Sequence, residues 1–194
     1  MLMAILDPLD PGYTPRTSSF TSGVITGTRF DDVLVGTDRE DTIYGGGGND
    51  LIYGDSKAAG YQSHDTLFGN SGNDTLIGGI GNDLLRGGPG RDTFKYNSSS
   101  ETSYAAHHPG DTIVDFTSAD FIDLSAVDAN SRVAGNQAFR FVGQVSTPNH
   151  IGLGQAGVYL GDRGGLELLA KPGDKNMRIT LQGTFSINSS QIIL

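Results

Sequence analysis

The chain has 194 residues, 29 of them glycine and none cysteine, which suits a single domain and excludes a disulfide scaffold, a thiolate metal site and a catalytic thiol. Its 19 aspartates against 3 glutamates point to carboxylates held in turns, where the shorter side chain fits, rather than to a general acidic surface. A net charge of −9 and a pI near 4.6 argue against nucleic acid and anionic membranes as partners, and no apolar run is long enough to insert into a bilayer.

In chain order, residues 1–26 come first. Met1 to Pro15 carries Asp7 and Asp10 and no basic region, so it is not expected to act as a secretory signal peptide; the segment is expected to pack on residues 27–95. From Gly27 to Lys95 the sequence repeats every nine residues. The units read GTRFDDVLV, GTDREDTIY, GGGGNDLIY, a fourth that starts at Gly54-Asp55 and resumes as HDTLF after an insertion (Ser56 to Ser63), then GNSGNDTLI, GGIGNDLLR and GGPGRDTFK. The sixth position is always aspartate: Asp32, Asp41, Asp50, Asp65, Asp74, Asp83 and Asp92. The eighth is always apolar: Leu34, Ile43, Ile52, Leu67, Leu76, Leu85 and Phe94. A flexible glycine-rich linker would hold neither phase.

The pattern G-G-x-G-x-D-x-U-x resembles the calcium-binding nonapeptide of RTX proteins. Short extended triplets centred on the eighth position, joined by glycine-rich turns, wind into an all-β, parallel β-roll in which each unit stacks on the second one along. The core is one residue thick per strand, so it needs help. The resemblance implies that several Ca²⁺ ions supply it, held by turn carbonyls and sixth-position carboxylates. Without them the aspartate rows repel one another, so folding is expected to follow calcium binding. The implied ligands are Gly45, Gly46, Gly47, Gly48 and Asp50; Gly69, Asn70, Ser71, Gly72 and Asp74; and Gly87, Gly88, Gly90 and Asp92 along one edge. Along the other they are Asp65 and Gly78, Gly79, Gly81 and Asp83. The first two units carry Phe30 and Arg39 at the fourth position, where glycine stands later, and are expected to bind weakly or not at all.

Residues 96–194 form a second region. The stretches DTFKY (Asp92–Tyr96), GDTIVDF (Gly110–Phe116), FIDLSAVDAN (Phe121–Asn130) and NQAFRFVG (Asn136–Gly143) resemble the C-terminal domain of serralysin metalloproteases. That likeness implies antiparallel strands capping the roll, secretion to the extracellular space by a type I apparatus, and Asp111 as a further calcium ligand facing the turn of Asp83. Thr117-Ser118-Ala119-Asp120 lacks the family's glycine, which argues against an ion at Asp120. The catalytic half of such proteases is missing: none of His64, His107, His108 and His150 stands in an HExxH motif, and no nucleophile elbow or phosphate loop occurs. His107-His108 is read as a solvated loop pair. The ninth positions (Val35, Tyr44, Tyr53, Phe68, Ile77) are apolar on an outward face and are expected to be covered by residues 1–26 or by the C-terminal strands; a partner surface is the other reading. Together these features describe a non-enzymatic, extracellular, calcium-binding module that folds on calcium and supports secretion of a larger protein. The alternatives are the non-catalytic C-terminal part of a secreted protease or polysaccharide-modifying enzyme, or a carbohydrate-binding accessory module.

Overall fold

The structure, a computed structural model, describes residues 16–17, 23–55, 62–101, 103–104, 110–129, 138–146, 151–160, 166–172, 176–182 and 187–194. Two strands precede the repeats, β1 (Arg16–Thr17) and β2 (Val24–Thr26). The repeats then supply β3 (Val33–Val35), β4 (Thr42–Gly47), β5 (Leu51–Tyr53), β6 (Thr66–Ser71), β7 (Thr75–Ile77), β8 (Leu84–Arg86) and β9 (Thr93–Lys95). Each strand turns its eighth-position residue inward, because side chains alternate along an extended chain; of the ninth-position residues in them, Ile77 is buried as well.

Successive units fall on two parallel sheets. One runs β1-β3-β5-β7-β9, and the other contains β2-β4-β6-β8. Register pairs every apolar residue with the one two units on. This gives the columns Leu34, Ile52, Leu76, Phe94 and Ile25, Ile43, Leu67, Leu85, all buried. The fold is a parallel β-roll.

The winding does not stop where the repeat does. Strand β10 (Ser103–Tyr104) is followed by β11 (Asp111–Ile113), which pairs with β8, and β12 (Phe121–Asp123), which pairs with β9. Ile113 and Ile122 extend the two columns. The tail adds β13 (Arg140–Gln144), β14 (Gln155–Leu160), β15 (Leu166–Ala170) and β16 (Asn176–Leu181). Strands β14, β15 and β16 are antiparallel neighbours, and β16 lies parallel to β11 with Leu181 beside Ile113. A short 3₁₀ turn, Ser189–Gln191, leads into β17 (Ile192–Ile193), which pairs with β12. Phe139, Val158, Leu168, Met177 and Ile179 continue the roll's core into this region.

The C-terminal strands therefore prolong the two sheets edge to edge and do not lie over their outer faces. The ninth positions split between the sheets and shield one another sideways: Tyr44 stacks on Phe68 with ring centroids 4.8 Å apart. Residues 1–15 and 18–22, the other cover expected for them, lie outside the described residues.

Candidate metal centre

The turns stack as the strands do, which puts sixth-position aspartates in two rows. Within each row one carboxylate oxygen has a fixed task. The main-chain N–H of Asp32 donates to Asp50 Oδ1 at 2.8 Å, Asp50 to Asp74 at 2.8 Å, Asp74 to Asp92 at 2.9 Å and Asp92 to Asp120 at 2.9 Å. On the other edge Asp41 donates to Asp65 at 2.8 Å, Asp65 to Asp83 at 2.9 Å and Asp83 to Asp111 at 2.9 Å. Glutamate could not keep this register, since its carboxylate sits one methylene further from the turn.

The second oxygen, Oδ2, divides the turns into two kinds. Asp50, Asp74, Asp83, Asp92 and Asp111 each bury an Oδ2 that makes no hydrogen bond. A buried carboxylate oxygen without a donor is costly unless a cation faces it. In the other turns a protein group fills that role. Asp32 Oδ2 accepts from Thr28 N–H at 2.5 Å and Thr28 Oγ1 at 2.8 Å. Asp41 Oδ2 accepts from Thr37 N–H at 2.6 Å and Oγ1 at 2.7 Å, and Asp120 from Thr117 N–H at 2.7 Å and Oγ1 at 2.9 Å. Asp65 Oδ2 accepts from Ser63 Oγ at 3.2 Å.

Backbone conformation at the second position explains the division. Gly46, Gly79 and Gly88 have φ of 110°, 101° and 99°, and Asn70 has φ 70°. Glycine, and among other residues asparagine, enters this left-handed region readily, whereas β-branched threonine does not. With Thr28 or Thr37 there, the turn swings its N–H and hydroxyl onto the aspartate instead. The first two units therefore provide no Oδ2 for an ion, for a reason at their second position that adds to the missing glycine at their fourth.

In the glycine turns the oxygens converge. A Cβ built on Gly45 would collide with both its own Asp50 Oδ2 and the Gly69 carbonyl of the next turn, and one on Gly69 with Asp74 Oδ2 and the Gly87 carbonyl. On the other edge a Cβ on Gly54 would meet the Gly78 carbonyl and Asp65 Oδ2, and one on Gly78 would meet Asp83 Oδ2. Among the described residues no three His, Asp or Glu side chains gather at one point to hold a metal. An ion in these steps would thus take carboxylates from stacked turns and the rest from main-chain carbonyls. That all-oxygen set suits Ca²⁺ and not a thiol- or imidazole-seeking metal.

Charge follows the same division except at Asp65, which is raised although Ser63 serves its Oδ2. Burial, against the lowering effect of the main-chain donors and with neighbouring aspartates adding to it, raises Asp50, Asp65 and Asp92 to about 7 and Asp83 to about 8. Asp74 is raised by burial too, and Asp111 is pushed well above the carboxylate range by burial and then by Asp83. These carboxyls resist ionising until a cation compensates them.

The sequence-derived residues lie where the repeat phase put them. Gly45–Gly48 and Asp50, Gly69–Gly72 and Asp74, and Gly87, Gly88, Gly90 and Asp92 line one edge, while Asp65, Gly78, Gly79, Gly81, Asp83 and Asp111 line the other. His64 Nδ1 accepts the Asn82 N–H at 3.0 Å on the surface; His107, His108 and His150 are outside the described residues. Sequence reasoning missed Asp115. Its carboxylate accepts from Gly87 N–H at 3.1 Å and Gly88 N–H at 3.0 Å and meets Arg86 at 3.3 Å, capping the last glycine turn.

Fold and oxygen rows together define a parallel β-roll of the calcium-binding kind. Residues 26–56 and 60–94 match the RTX calcium-binding nonapeptide repeat, in four copies. This part of the chain is an RTX repeat array, and RTX nonapeptide repeats bind calcium ions. No curated protein matches the chain. Among solved structures it is similar to the AlgE6R3 subunit of the mannuronan C5-epimerase of Azotobacter vinelandii, with 27% identity and a TM-score of 0.50 over 95% of this chain and 85% of that one. The AlgE6R2 subunit of the same organism's enzyme is 26% identical over 88% of this chain and 91% of that one, with a TM-score of 0.46.

Proposed function

We propose that the chain is a secreted, non-catalytic module whose folding is driven by calcium outside the cell, and which supports the export and stability of the protein it accompanies. The carrying observation is the set of five buried Oδ2 oxygens without hydrogen bonds, on Asp50, Asp74, Asp83, Asp92 and Asp111. Ions are assigned to the steps between turns 45–50 and 69–74, between 69–74 and 87–92, and between Asp65 and turn 78–83, with Asp111 a ligand beyond Asp83. In calcium-poor cytosol the uncompensated rows keep the chain loose, which suits a type I exporter; in calcium-rich surroundings binding becomes folding. Calorimetric calcium titration with parallel circular dichroism tests this. Several ions per chain and a rise in β-signal are expected, and identical β-content in chelator and in millimolar calcium would sink the reading.

A second reading has one specific support, the likeness to an epimerase subunit across 95% of the chain: the module accompanies a polysaccharide-modifying enzyme and binds its polymer. Saturable, calcium-dependent binding of mannuronan oligomers by the full chain would favour it, and their failure to bind would leave the folding role alone.

A further inference from the structure

The fourth unit, Gly54 to Phe68, is six residues longer than the nine of its neighbours, yet the unit stacked on it stays in register, with Leu67 beside Leu85. The residues that flank the extra length make the bonds of a regular turn. Ser63 N–H donates to the Ile80 carbonyl at 3.0 Å, as a fourth residue does to a third when Gly72 donates to Pro89 at 3.2 Å. Asp65 N–H donates to Asp83 Oδ1 at 2.9 Å, as every sixth residue of a row does.

The second position is where the interrupted turn differs. In a regular step the third-position N–H donates to the second-position carbonyl of the turn below, as Gly47 does to Thr28 at 2.9 Å. The second-position residue of the upper turn lies against that same oxygen: a Cβ on Gly46 would meet the Thr28 carbonyl, and one on Gly88 the Asn70 carbonyl. Both contacts recur above the interrupted turn with a different oxygen. The Ile80 N–H donates to Asp55 Oδ2 at 2.6 Å, and a Cβ on Gly79 would meet that same Oδ2. Asp55 Oδ1 accepts from the Ser63 hydroxyl, which ties second position to fourth across the extra length. A side-chain carboxylate thus occupies the place of a main-chain carbonyl.

This step is one of those where oxygens converge, since a Cβ on Gly54 would meet both the Gly78 carbonyl and Asp65 Oδ2. Calcium needs its oxygens at about 2.3–2.6 Å, so the two turns must keep their spacing, and a turn interrupted after its second residue needs some acceptor for the Ile80 N–H. We propose that Asp55 is a positioning residue for calcium: its carboxylate stands in for the second-position carbonyl, and so holds turn 78–83 where the Gly78 carbonyl and Asp65 Oδ2 face one ion. This role rests on the reading that the repeats bind calcium, and it explains how the array carries an interruption without losing a step. It is the oxygen acceptor of Asp55 that the step requires, not its charge.

The test uses the full chain, with calcium titrated by calorimetry, in wild type, Asp55→Ala and Asp55→Asn. The same two substitutions are made in a chain whose residues 56–62 are replaced by one glycine, which restores a nine-residue unit. Asp55→Ala is expected to bind one ion fewer than wild type, or to bind that ion about tenfold more weakly. Asp55→Asn keeps an oxygen for the Ile80 N–H and is expected to keep the ion. In the shortened chain Asp55→Ala is expected to match its parent, because the main-chain carbonyl of residue 55 then takes the Ile80 N–H. A full complement of ions at wild-type affinity in Asp55→Ala overturns the proposal. So does a loss in Asp55→Asn as large as in Asp55→Ala, or a loss that persists in the shortened chain. Should the shortened chain fail to fold, amide hydrogen exchange at Ile80 in saturating calcium decides: faster exchange in Asp55→Ala alone is expected, and equal exchange in all three full-length chains overturns the role. A wild-type chain that binds no calcium fails the repeat reading itself, a different result from one ion lost on Asp55→Ala.

Discussion

Each sixth-position aspartate divides its two oxygens between tasks, Oδ1 tying one turn to the next and Oδ2 either accepting from a hydroxyl or left without a protein donor, free for the proposed cation. The tasks separate by substitution. Asp74→Asn keeps an acceptor for the Asp50 N–H and loses the charge, so it should fold but need more calcium. Asp74→Ala also strands that buried N–H, which costs a further ~1–3 kcal/mol. Denaturant unfolding at saturating calcium measures the difference, and equal losses in the two variants would refute the division. Protons compete for the same oxygens. Asp50, Asp65 and Asp92 are raised to about 7 and Asp83 to about 8 from an ordinary value of 3.8. A raised carboxyl stabilises the fold while protonated; that contribution is complete below about 4 and lost as pH rises through 7 to 8. In chelator the chain should therefore show more β-signal by circular dichroism at pH 5 than at pH 8. In calcium the trend reverses, because ions must displace protons at pH 5. The row of sixth-position aspartates was legible from the repeat; the Oδ1 bond was not, because its donor lies 18 to 28 positions away and only the stack brings it near.

Turns differ by what stands at their second position, and this sets which aspartates have a protein donor at Oδ2. Thr37 closes Asp41 with its N–H and hydroxyl, so Thr37→Ala removes one of two donors from a buried oxygen. A loss of about 1 kcal/mol is expected, with calcium stoichiometry unchanged; a changed stoichiometry would mean that an ion sits there after all. The strands answer to packing instead. Leu76 is fully buried between Ile52 and Phe94 in its column, and Leu76→Ala should cost ~2–5 kcal/mol at saturating calcium by the cavity it leaves. Reading the sequence placed both columns, since phase is visible in one dimension, and set the first two units apart by their missing glycines. It did not see that threonine stands in for a cation by donating to the carboxylate, although the spacing of Thr28 to Asp32 and Thr37 to Asp41 repeats and was there to be read.

At the scale of the molecule, the turns whose aspartates lack a donor at Oδ2 are bounded by turns that supply one: Asp32 and Asp120 close one row, and Asp41 and Asp65 begin the other. The upper end is also sealed by chain, and there the sequence was least informative, because residues 144–190 repeat nothing and their strands are specified by partners rather than by phase. Strand β17 forms the seal on one sheet. Ile192 pairs with Ile122, the Ile193 carbonyl accepts from Leu124 N–H at 2.8 Å, and Gln191 Nε2 donates to the Thr117 carbonyl at 3.0 Å. Removing Asn188–Leu194 would expose the Ile122 end of the core column and leave β12 as an open, unpaired edge, a template for other chains. The repeats below keep their carboxylates and carbonyls, and Thr117 already serves the Asp120 Oδ2, so calcium stoichiometry should hold. The thermal midpoint at saturating calcium should fall, and light scattering should rise with protein concentration. A truncated chain that melts at the wild-type temperature and stays monodisperse would show that β12 needs no cover, and that the roll ends on its own last turn.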